Sequence, residues 1–410
     1  LEDGLKPVQR RIMWSLRRND DGKFIKVANI VGFCMQFHPH GDASIADALV
    51  TLVNKRYLIE GQGNYGNLHT GDPAAASRYI ECRLTALARE QIFNNHLTKF
   101  IPSYDGRNDE PVLLPSKIPL LLMLGADGIA VGLSTRILPH NFGELLQGQM
   151  EILKGRSPKT LLPDFLTGGV MDATDYDLGR GKVKVRAVIE TKGKNLIIRE
   201  IPYATTTESL IKSIEDAIRK KKLKIRSITD FTAEHVEVHL QLVAGQDPEE
   251  TIKKLYAFTD CEVSLSSCIM CLENNRPVEL TVNDVLRKLT DRLVDTLEQE
   301  LIWEKNRLLE EFHHKTLVQI FIENRIYKDI EECKTYKEVQ KAVLDGVNNF
   351  RDQLKRDVTE EDVEMLLQVR IKRISRFDID KNRKDLEDIL TNLKEVEKNL
   401  KRMVDYTVDF

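Results

Sequence analysis

The fold is decided by the segment His38-Pro39-His40-Gly41-Asp42, which separates two stretches with a helical spacing of apolar residues. The stretch before it predicts a helix over Lys26 to Phe33. The stretch after it predicts a helix from Asp42, the expected N-cap, to about Val53. Two short helices joined by a glycine-containing turn indicate a helix-turn-helix, with the second helix as the recognition helix.

The chain on either side of these helices extends the pattern. Upstream, Pro7 lies in the first turn of a predicted helix whose apolar face is surrounded by basic residues: Lys6, Arg10, Arg11, Arg17 and Arg18. Downstream, residues 55–60 are typical of a strand, and the glycine-rich residues 61–71 suit the hairpin of a winged-helix domain. Because a basic helix surface is usually a solvated face, these cations alone do not establish nucleic-acid binding.

The glycine-rich segment leads into Gly71-Asp72-Pro73-Ala74-Ala75-Ala76-Ser77-Arg78-Tyr79. A tyrosine hydroxyl can attack phosphorus, and a neighbouring guanidinium can neutralise charge on the attacked phosphate. Without context, such a pair is more often a packed aromatic beside a surface cation. The assignment of Tyr79 and Arg78 as a catalytic pair therefore depends on the surrounding motifs.

Three other short motifs do not predict sites. The segment Gly61-Gln62-Gly63-Asn64-Tyr65-Gly66 has dinucleotide-binding spacing, but turn residues follow where such a site needs a helix. The segment Gly179-Arg180-Gly181-Lys182 lacks the first glycine and the final Ser or Thr of a P-loop. The segment Cys268-Ile269-Met270-Cys271 has no second cysteine pair at zinc spacing.

Several motifs occur together in one order and approximate spacing. They are Asp3-Gly4-Leu5-Lys6-Pro7-Val8-Gln9-Arg10-Arg11, His38–Asp42, Gly61–Gly66, Ala74–Tyr79, Gly128-Ile129-Ala130-Val131-Gly132 and Ile137-Leu138-Pro139-His140-Asn141. This set resembles the breakage-reunion part of the bacterial type IIA topoisomerase proteins that carry the active-site tyrosine, the GyrA-type chains of DNA gyrase and topoisomerase IV. A C-terminal DNA-wrapping domain is then expected beyond Phe410.

The resemblance implies roles for individual residues. Tyr79 would attack DNA to form a 5′-phosphotyrosine, assisted by Arg78, and a homodimer would supply two tyrosines and cut both strands. Ile137 would wedge into the duplex and bend it. The expected DNA-binding residues are Lys6, Arg10, Arg11, His38 and His40.

Two further positions correspond to the quinolone-binding residues of the family. Ala43 stands where many relatives have a serine, whereas Asp47 matches the usual acidic residue one helical turn later. In the family these two positions hold the drug through a metal-bound water. The alanine therefore predicts weak quinolone sensitivity.

The expected fold class is mixed α/β with several domains. We expect a winged-helix DNA-cleavage domain over residues 1–110, an α/β tower domain over 111–275, and a coiled coil over 276–410 with a helical dimer-gate cap at about 313–378. Within the tower, residues 182–190 and 235–242 alternate like strands.

Helix starts and a heptad pattern complete this assignment. Helices are expected to begin at caps Thr207, Asp247 and Thr359. Leucines from Leu286 onward predict one long helix. A near-strict heptad seam predicts a returning helix, interrupted by Asn382, with these seam positions: Ile379, Leu386, Ile389, Leu393, Val396, Leu400 and Met403.

Composition limits the choices less than the motifs do. The formal charge is −3, yet the first 100 residues hold 13 Lys and Arg against 10 Asp and Glu. No apolar run is long enough to span a membrane, and six cysteines do not suggest a disulfide scaffold, which fits a reducing cytoplasm.

The resemblance also implies partners and cofactors. Double-stranded DNA would be the substrate, and a B subunit would complete an A2B2 assembly on the nucleoid. Mg²⁺ and ATP would be held mainly by that B subunit. The D-x-D sequences Asp378-Ile379-Asp380 and Asp175-Tyr176-Asp177 match the family's metal motif only superficially, so no metal ligand is assigned to this chain.

Two rival functions remain open. A winged-helix DNA-binding dimer without chemistry explains the helices and the coiled coil but not Arg78 and Tyr79. A tyrosine recombinase would need several catalytic Arg and His residues and leaves 3′ adducts. Within the topoisomerases, residues 6–11 and 43–46 favour topoisomerase IV, a chromosome-segregation enzyme that decatenates and relaxes DNA, over supercoiling gyrase.

Overall fold

The computed structural model describes residues 1–193, 195–273, 276–331, 333–369 and 376–410, with the backbone alone at 376–379. The chain forms two compact units, Leu1–Leu293 and Val294–Phe410. Helices and several small antiparallel sheets make it a mixed α/β protein, as expected from the sequence. Each unit is described by itself.

The first part of unit 1 combines four helices with five short strands. Its elements are α1 (Pro7–Arg18), β1 (Ile25–Lys26), α2 (Val27–Cys34), α3 (Asp42–Asn54), β2 (Ile59–Gln62), β3 (Glu81–Leu84), α4 (Ala86–Gln91), β4 (Phe100–Pro102) and β5 (Asp109–Pro111). Strands β1, β3 and β2 form an antiparallel sheet in that order, and β4 pairs with β5. Helices α1, α2 and α3 pack on one another, as the apolar periodicity predicted.

Two boundaries in this part differ from the prediction. Gly41, not Asp42, occupies the N-cap of α3, and no side chain caps the helix there; Asp42 is its first residue, where its charge favours the helix dipole. Strand β2 begins at Ile59 because α3 continues to Asn54 and Arg56 then turns the chain with a positive φ of 63°.

The rest of unit 1 alternates strands and helices. Its elements are α5 (Leu120–Leu124), β6 (Ala126–Ala130), β7 (Leu133–Ile137), α6 (Phe142–Leu153), β8 (Val170–Asp172), β9 (Lys182–Arg186), β10 (Val188–Lys192), β11 (Asn195–Glu200), α7 (Thr207–Arg219), β12 (Ile225–Asp230), β13 (Val238–Leu242), α8 (Pro248–Phe258), β14 (Glu262–Ser266), β15 (Ile269–Glu273) and β16 (Arg276–Leu280). Strands β10, β11, β13 and β12 form a four-stranded antiparallel sheet, with β12 at one edge. Helices α7 and α8 complete a separate core with this sheet.

Three predictions from the alternating pattern need correction. The expected strand over 182–190 is two strands, because the chain changes sheets at Ala187: β9 pairs with β14, and β10 pairs with β11. The second expected strand begins only at Val238. The cap of α7 is Thr206 rather than Thr207; its hydroxyl accepts a hydrogen bond from the backbone N–H of Ser209 at 3.2 Å. The cap of α8 is Asp247, as predicted.

Unit 2 is helical. Helix α9 (Val282–Glu323) begins in unit 1 and is followed by α10 (Tyr336–Asn348), α11 (Glu360–Leu367), α12 (Arg376–Leu400) and α13 (Met403–Asp409). Thr359 caps α11, as predicted, in a reciprocal capping box with Asp362. Buried residues of α9, α10 and α11 form one hydrophobic cluster in the expected cap region.

Helices α9 and α12 run antiparallel. Ion pairs join Lys305 to Glu397 at 3.0 Å, Lys315 to Asp385 at 2.7 Å and Glu323 to Arg383 at 2.7 Å, so positions rise along one helix as they fall along the other. Leu308, Ile389 and Leu393 form an apolar cluster between these helices. The amide of Asn382 donates to the backbone carbonyl of Lys315 at 3.1 Å, so this polar seam residue has a partner. The predicted seam residue Ile379 lies outside the described side chains.

Candidate functional site

Tyr79 lies in a turn immediately before β3. Two backbone hydrogen bonds tie this turn to the start of α2: Val27 N–H donates to Ile80 O, and Ala28 N–H donates to Ser77 O, both at 3.0 Å. The backbone N–H of Tyr79 itself donates to Ala76 O at 2.8 Å. The small alanines thus form a tight turn that places the tyrosine at the edge of the helix-turn-helix.

The side chain of Tyr79 projects into solvent, with 65% of its surface exposed. The guanidinium of Arg78 lies 4.6 Å from the centroid of the tyrosine ring. Within the described residues no carboxylate forms an ion pair with Arg78. A free cation therefore stands beside an accessible phenol, as nucleophilic attack on a phosphodiester would need.

Lys26 is a site residue that sequence reasoning missed. Its ammonium forms an ion pair with Glu81 at 2.8 Å and lies 3.5 Å from the backbone carbonyl oxygen of Tyr79. The only sequence signal was its position at the predicted start of the second helix. Lys26 adds positive charge to the turn that carries Tyr79 without touching the phenol.

Two of the basic residues predicted to contact DNA are instead paired inside the protein. Arg10 forms two hydrogen bonds with the carboxylate of Asp3, at 2.5 and 2.9 Å, and the side chain of Asp3 is only 2% exposed. Arg11 forms a similar double contact with Glu110, also at 2.5 and 2.9 Å, and this partner raises the pKa of Arg11. Neither Asp3 nor Glu110 was predicted as a site residue.

Lys6 and the two histidines continue this network. The ammonium of Lys6 donates to Asp127 O at 2.5 Å. The second guanidinium arm of Arg11 donates to Nδ1 of His38 at 3.0 Å, so that nitrogen is unprotonated. Burial, Arg11 and His40 lower the pKa of His38, and the rings of His38 and His40 are 4.5 Å apart. Only His40 of this pair is exposed.

Ile137 is buried, with 4% of its surface exposed, at the end of the β6–β7 hairpin. The base of the hairpin is held to the following sheet by Arg136, whose backbone N–H and C=O bond to Cys268 at 2.8 and 3.0 Å. Two apolar residues at the hairpin tip, Ile129 and Val131, are almost fully exposed. The structure thus places the predicted wedge residue in the core rather than on the surface.

The two predicted drug-binding positions lie on the first half of α3. Ala43 lines a small pocket of about 260 Å³ between α2 and α3, together with Ser77, two residues before Tyr79. Asp47 is exposed one turn further along the helix, and its carbonyl accepts from Thr51. The structure brings Ala43 and the tyrosine-bearing turn to one pocket.

Comparisons with known proteins agree with these motifs. The family model that describes the GyrA-type subunit of DNA gyrase/topoisomerase IV matches residues 1–409. The chain belongs to this family. It is 48% identical to the corresponding DNA topoisomerase 4 subunit of Borreliella burgdorferi, over all of this chain and 65% of that protein.

More distant members of the family also match nearly the whole chain. The GyrA protein of DNA gyrase from Kosmotoga olearia is 32% identical, over 96% of this chain and 51% of that protein. The corresponding DNA topoisomerase 4 subunit of Staphylococcus epidermidis is 30% identical, over 97% of this chain and 52% of that protein. The chain spans about half to two thirds of the length of these topoisomerase subunits.

The metal motifs of the topoisomerase family do not find a site in this chain. No group of three or more His, Cys, Asp or Glu residues that could hold an ion occurs in the described part of the chain. Tyr176, between Asp175 and Asp177, is buried, and its hydroxyl contacts Nε2 of His140 at 3.1 Å, so this D-x-D lies in a structural turn. The side chains of Asp378 and Ile379 lie outside the described residues.

The helices differ from membrane-spanning segments. Among those of the described residues, none combines the length and apolar character needed to cross a bilayer.

Proposed function

We propose that this chain is the DNA-breakage-reunion subunit of a type IIA topoisomerase. The observation that supports this most directly is the exposed phenol of Tyr79 with the unpaired guanidinium of Arg78 stacked on its ring at 4.6 Å. Membership of the GyrA-type family of DNA gyrase and topoisomerase IV supports the same reaction. The substrate is double-stranded DNA.

The proposed chemistry is a reversible transesterification. The phenol oxygen of Tyr79 attacks a DNA phosphorus, the new O–P bond forms as the P–O3′ bond breaks, and the phenol loses its proton while the 3′ oxygen gains one. The product is a 5′-phosphotyrosine and a free 3′-hydroxyl. Arg78 stabilises charge on the non-bridging phosphate oxygens. Because the ester is conserved, religation is the reverse reaction and needs no external energy.

The order of elements supports a winged-helix assignment for residues 1–110. Helices α1, α2 and α3 pack beside the sheet β1-β3-β2, and α3 follows the turn in the position of a recognition helix. The four-stranded sheet with α7 and α8 supports a tower domain within 111–275. The antiparallel α9–α12 pair supports the coiled coil over 276–410, with its cap as the dimer gate.

The predicted DNA contacts divide into two groups. His40 is exposed and can bind a phosphate directly. Lys6, Arg10 and Arg11 would have to exchange their present partners for phosphates, so we propose that they mainly position the frame around the site. Ile137 can act as a wedge only if its side chain leaves the core.

Partners and cofactors follow from the family. We infer a homodimer, completed by a B subunit in an A2B2 assembly that acts on the nucleoid in the cytoplasm. Since the described residues of this chain contain no cluster suited to a metal ion, Mg²⁺ and ATP belong to that B subunit. The higher identity to a topoisomerase 4 protein, 48% against 32% for a gyrase protein, favours decatenation and relaxation over supercoiling.

The test is a cleavage assay with the chain reconstituted with its B partner. Denaturant quenching should leave DNA covalently attached to the wild-type chain and to Tyr104→Phe, a matched control at another exposed tyrosine. Tyr79→Phe should bind DNA with unchanged affinity and form no adduct. Adducts on the Tyr79→Phe protein would overturn the proposal.

The same assay separates the rival functions. A non-enzymatic winged-helix dimer would form no adduct with either protein. A tyrosine recombinase would leave the protein on the 3′ end, whereas the proposed reaction leaves it on the 5′ end. Mapping the blocked end of the adducted strand therefore distinguishes the two enzymes.

A further inference from the structure

A dense run of positive charge follows α7. We define residues 219–226, Arg-Lys-Lys-Lys-Leu-Lys-Ile-Arg, as the basic segment; it holds six cations and no acidic residue. The whole chain, by comparison, has a formal charge of −3. None of the sequence motifs shared with the topoisomerase family includes this segment.

The fold holds the basic segment so that its charges face water. Leu223 and Ile225 are buried in the core beneath the four-stranded sheet, at 3% and 8% exposure. The alternating residues Lys222, Lys224 and Arg226 are exposed. Two residues of an extended chain advance by about 6.6 Å, so these three cations form a row spaced on the scale of phosphates along a DNA strand.

These charges have few internal partners. Arg219 pairs with Asp216, and the ammonium of Lys222 lies 5.3 Å from the ring centroid of Phe258. For the other cations of the segment, no ion pair is found within the described part of the chain. Arg10 and Arg11, in contrast, are paired with carboxylates. The cations that are free to bind phosphates therefore include the basic segment rather than the N-terminal motif.

Helix α7 connects the basic segment to the candidate site. At its N-terminal end, the backbone N–H of Thr207 donates to His69 O at 2.8 Å, and a Cβ added at Gly71 would lie 2.9 Å from Thr206. Gly71 begins the segment that ends in Tyr79. The 13 residues of α7 span about 20 Å, equivalent to about six base pairs of B-DNA.

We propose that the basic segment binds the phosphates of duplex DNA that flanks the cleavage site. This inference rests on the proposed function and adds to it a contact surface for the flanking duplex. The alternative is a protective role, because β12 is an edge strand and lysines at a sheet edge discourage strand pairing between molecules. Charge complementarity and the connection through α7 favour DNA.

The experiment compares DNA affinity on two duplex lengths. A Tyr79→Phe background keeps binding non-covalent, and the full chain is reconstituted with its B partner. The test variant carries Lys220→Gln, Lys224→Gln and Arg226→Gln; the matched control carries Lys337→Gln, Lys341→Gln and Lys398→Gln, three lysines of unit 2. Fluorescence anisotropy measures binding to duplexes of about 12 and about 60 base pairs over a range of salt concentrations.

The expected result is specific to the long duplex. The test variant should bind it at least about tenfold more weakly, and the slope of log K against log salt should be smaller by about 2 to 3. Affinity for the short duplex, and affinity of the control variant for both, should be unchanged.

Three outcomes would overturn the inference. They are an unchanged long-duplex affinity, equal losses on both duplexes, or self-association of the test variant in sedimentation without a loss of DNA affinity. Adduct formation by a Tyr79 protein with the same triple substitution, on the short duplex, reports on the proposed function separately. It should equal that of the wild type; if the wild type forms no adduct, the proposed function fails and not only the basic segment.

Discussion

Arg78 and Arg10 both belong to motifs shared with the topoisomerase family, yet their surroundings are opposite. Arg10 is held by the buried carboxylate of Asp3, whereas Arg78 lies on the ring of an exposed tyrosine with no carboxylate partner among the described residues. A guanidinium that is already neutralised stabilises the frame. A guanidinium without such a partner remains available for a phosphate, so the charge environment, rather than the motif, separates structure from chemistry.

Loss of the Asp3 carboxylate should have the largest effect on stability. Asp3 also accepts from the backbone N–H groups of Leu5 and Leu114, at 3.2 and 3.1 Å. Asp3→Ala would leave Arg10 without its counter-charge and should lower the free energy of unfolding by about 3–5 kcal/mol. In a Trp303→Phe background, the fluorescence of buried Trp14 reports the urea transition of unit 1.

The control for this stability measurement is an exposed ion pair of the same unit. Glu60 pairs with Arg83 at 2.8 Å while 49% of its side chain is exposed. Solvent screening makes such pairs weak, so Glu60→Ala should leave the urea midpoint unchanged. Similar midpoints for the two variants would contradict the contrast between buried and exposed cations.

Removal of the Arg78 guanidinium should affect chemistry and spare folding. Arg78→Ala should slow adduct formation by about 10²–10³-fold, the usual effect of deleting one group that stabilises transition-state charge. Arg78→Lys should recover part of that rate, since a point charge replaces the planar fork. Quenched cleavage time courses measure both rates.

A matched control for Arg78 is Arg107→Ala, which removes another highly exposed arginine of unit 1. That variant should cleave at the wild-type rate. An Arg78→Ala protein that unfolds at a lower urea concentration than the wild type would show that Arg78 belongs to the frame after all.

The histidines extend the same contrast to pH. Burial lowers the pKa of His140 from the usual 6.5 to about 4, so the unfolded chain takes up a proton first as pH falls. Its contribution to stability is complete above pH 6.5 and is lost toward pH 4, at most about 1.4 kcal/mol per pH unit. His140→Gln should flatten this dependence in urea titrations between pH 7 and 5.

Exposed His235 provides the comparison for His140. His235→Gln should leave the pH dependence of unfolding as steep as in the wild type. An equal flattening by both substitutions would mean that burial of His140 is not the cause.

The smallest expected effect concerns the pocket beside Tyr79. Ala43→Ser would restore a hydroxyl at the drug-binding position and should raise quinolone-stabilised cleavage about 2- to 10-fold, equivalent to one hydrogen bond of about 0.5–1.5 kcal/mol. Ala46→Ser, which lines the same pocket, should have no such effect. Strong drug-stabilised cleavage with Ala43 in place would contradict the prediction.

Local signals in the sequence predicted the helices well. Apolar spacing and breaks at Pro and Gly placed α2, α3 and the start of α9 within one or two residues, because these features act over short distances along the chain. The caps of α8 and α11 were found for the same reason. The break at Ala187 was missed because alternation shows that a strand exists but does not show which neighbour it pairs with.

The candidate site was predictable only in part. The Arg78-Tyr79 pair is local and stands in the expected relation. The partners of Arg10 and Arg11 lie 7 and 99 residues away, and nothing in the spacing of charges identifies Asp3 or Glu110. Exposure is equally non-local: Ile137 and Ile129 are both apolar residues of one hairpin, but only the three-dimensional packing buries the first and exposes the second.

The amide bridge from Asn382 to the Lys315 carbonyl has a mechanical consequence. A slide of α12 along α9 by one turn would separate this bridge and the three ion pairs simultaneously, leaving a polar amide against apolar side chains. Shear between the two rods is therefore costly at every position at once. We expect the pair to respond to load by bending as a single lever, with its thread of contacts intact.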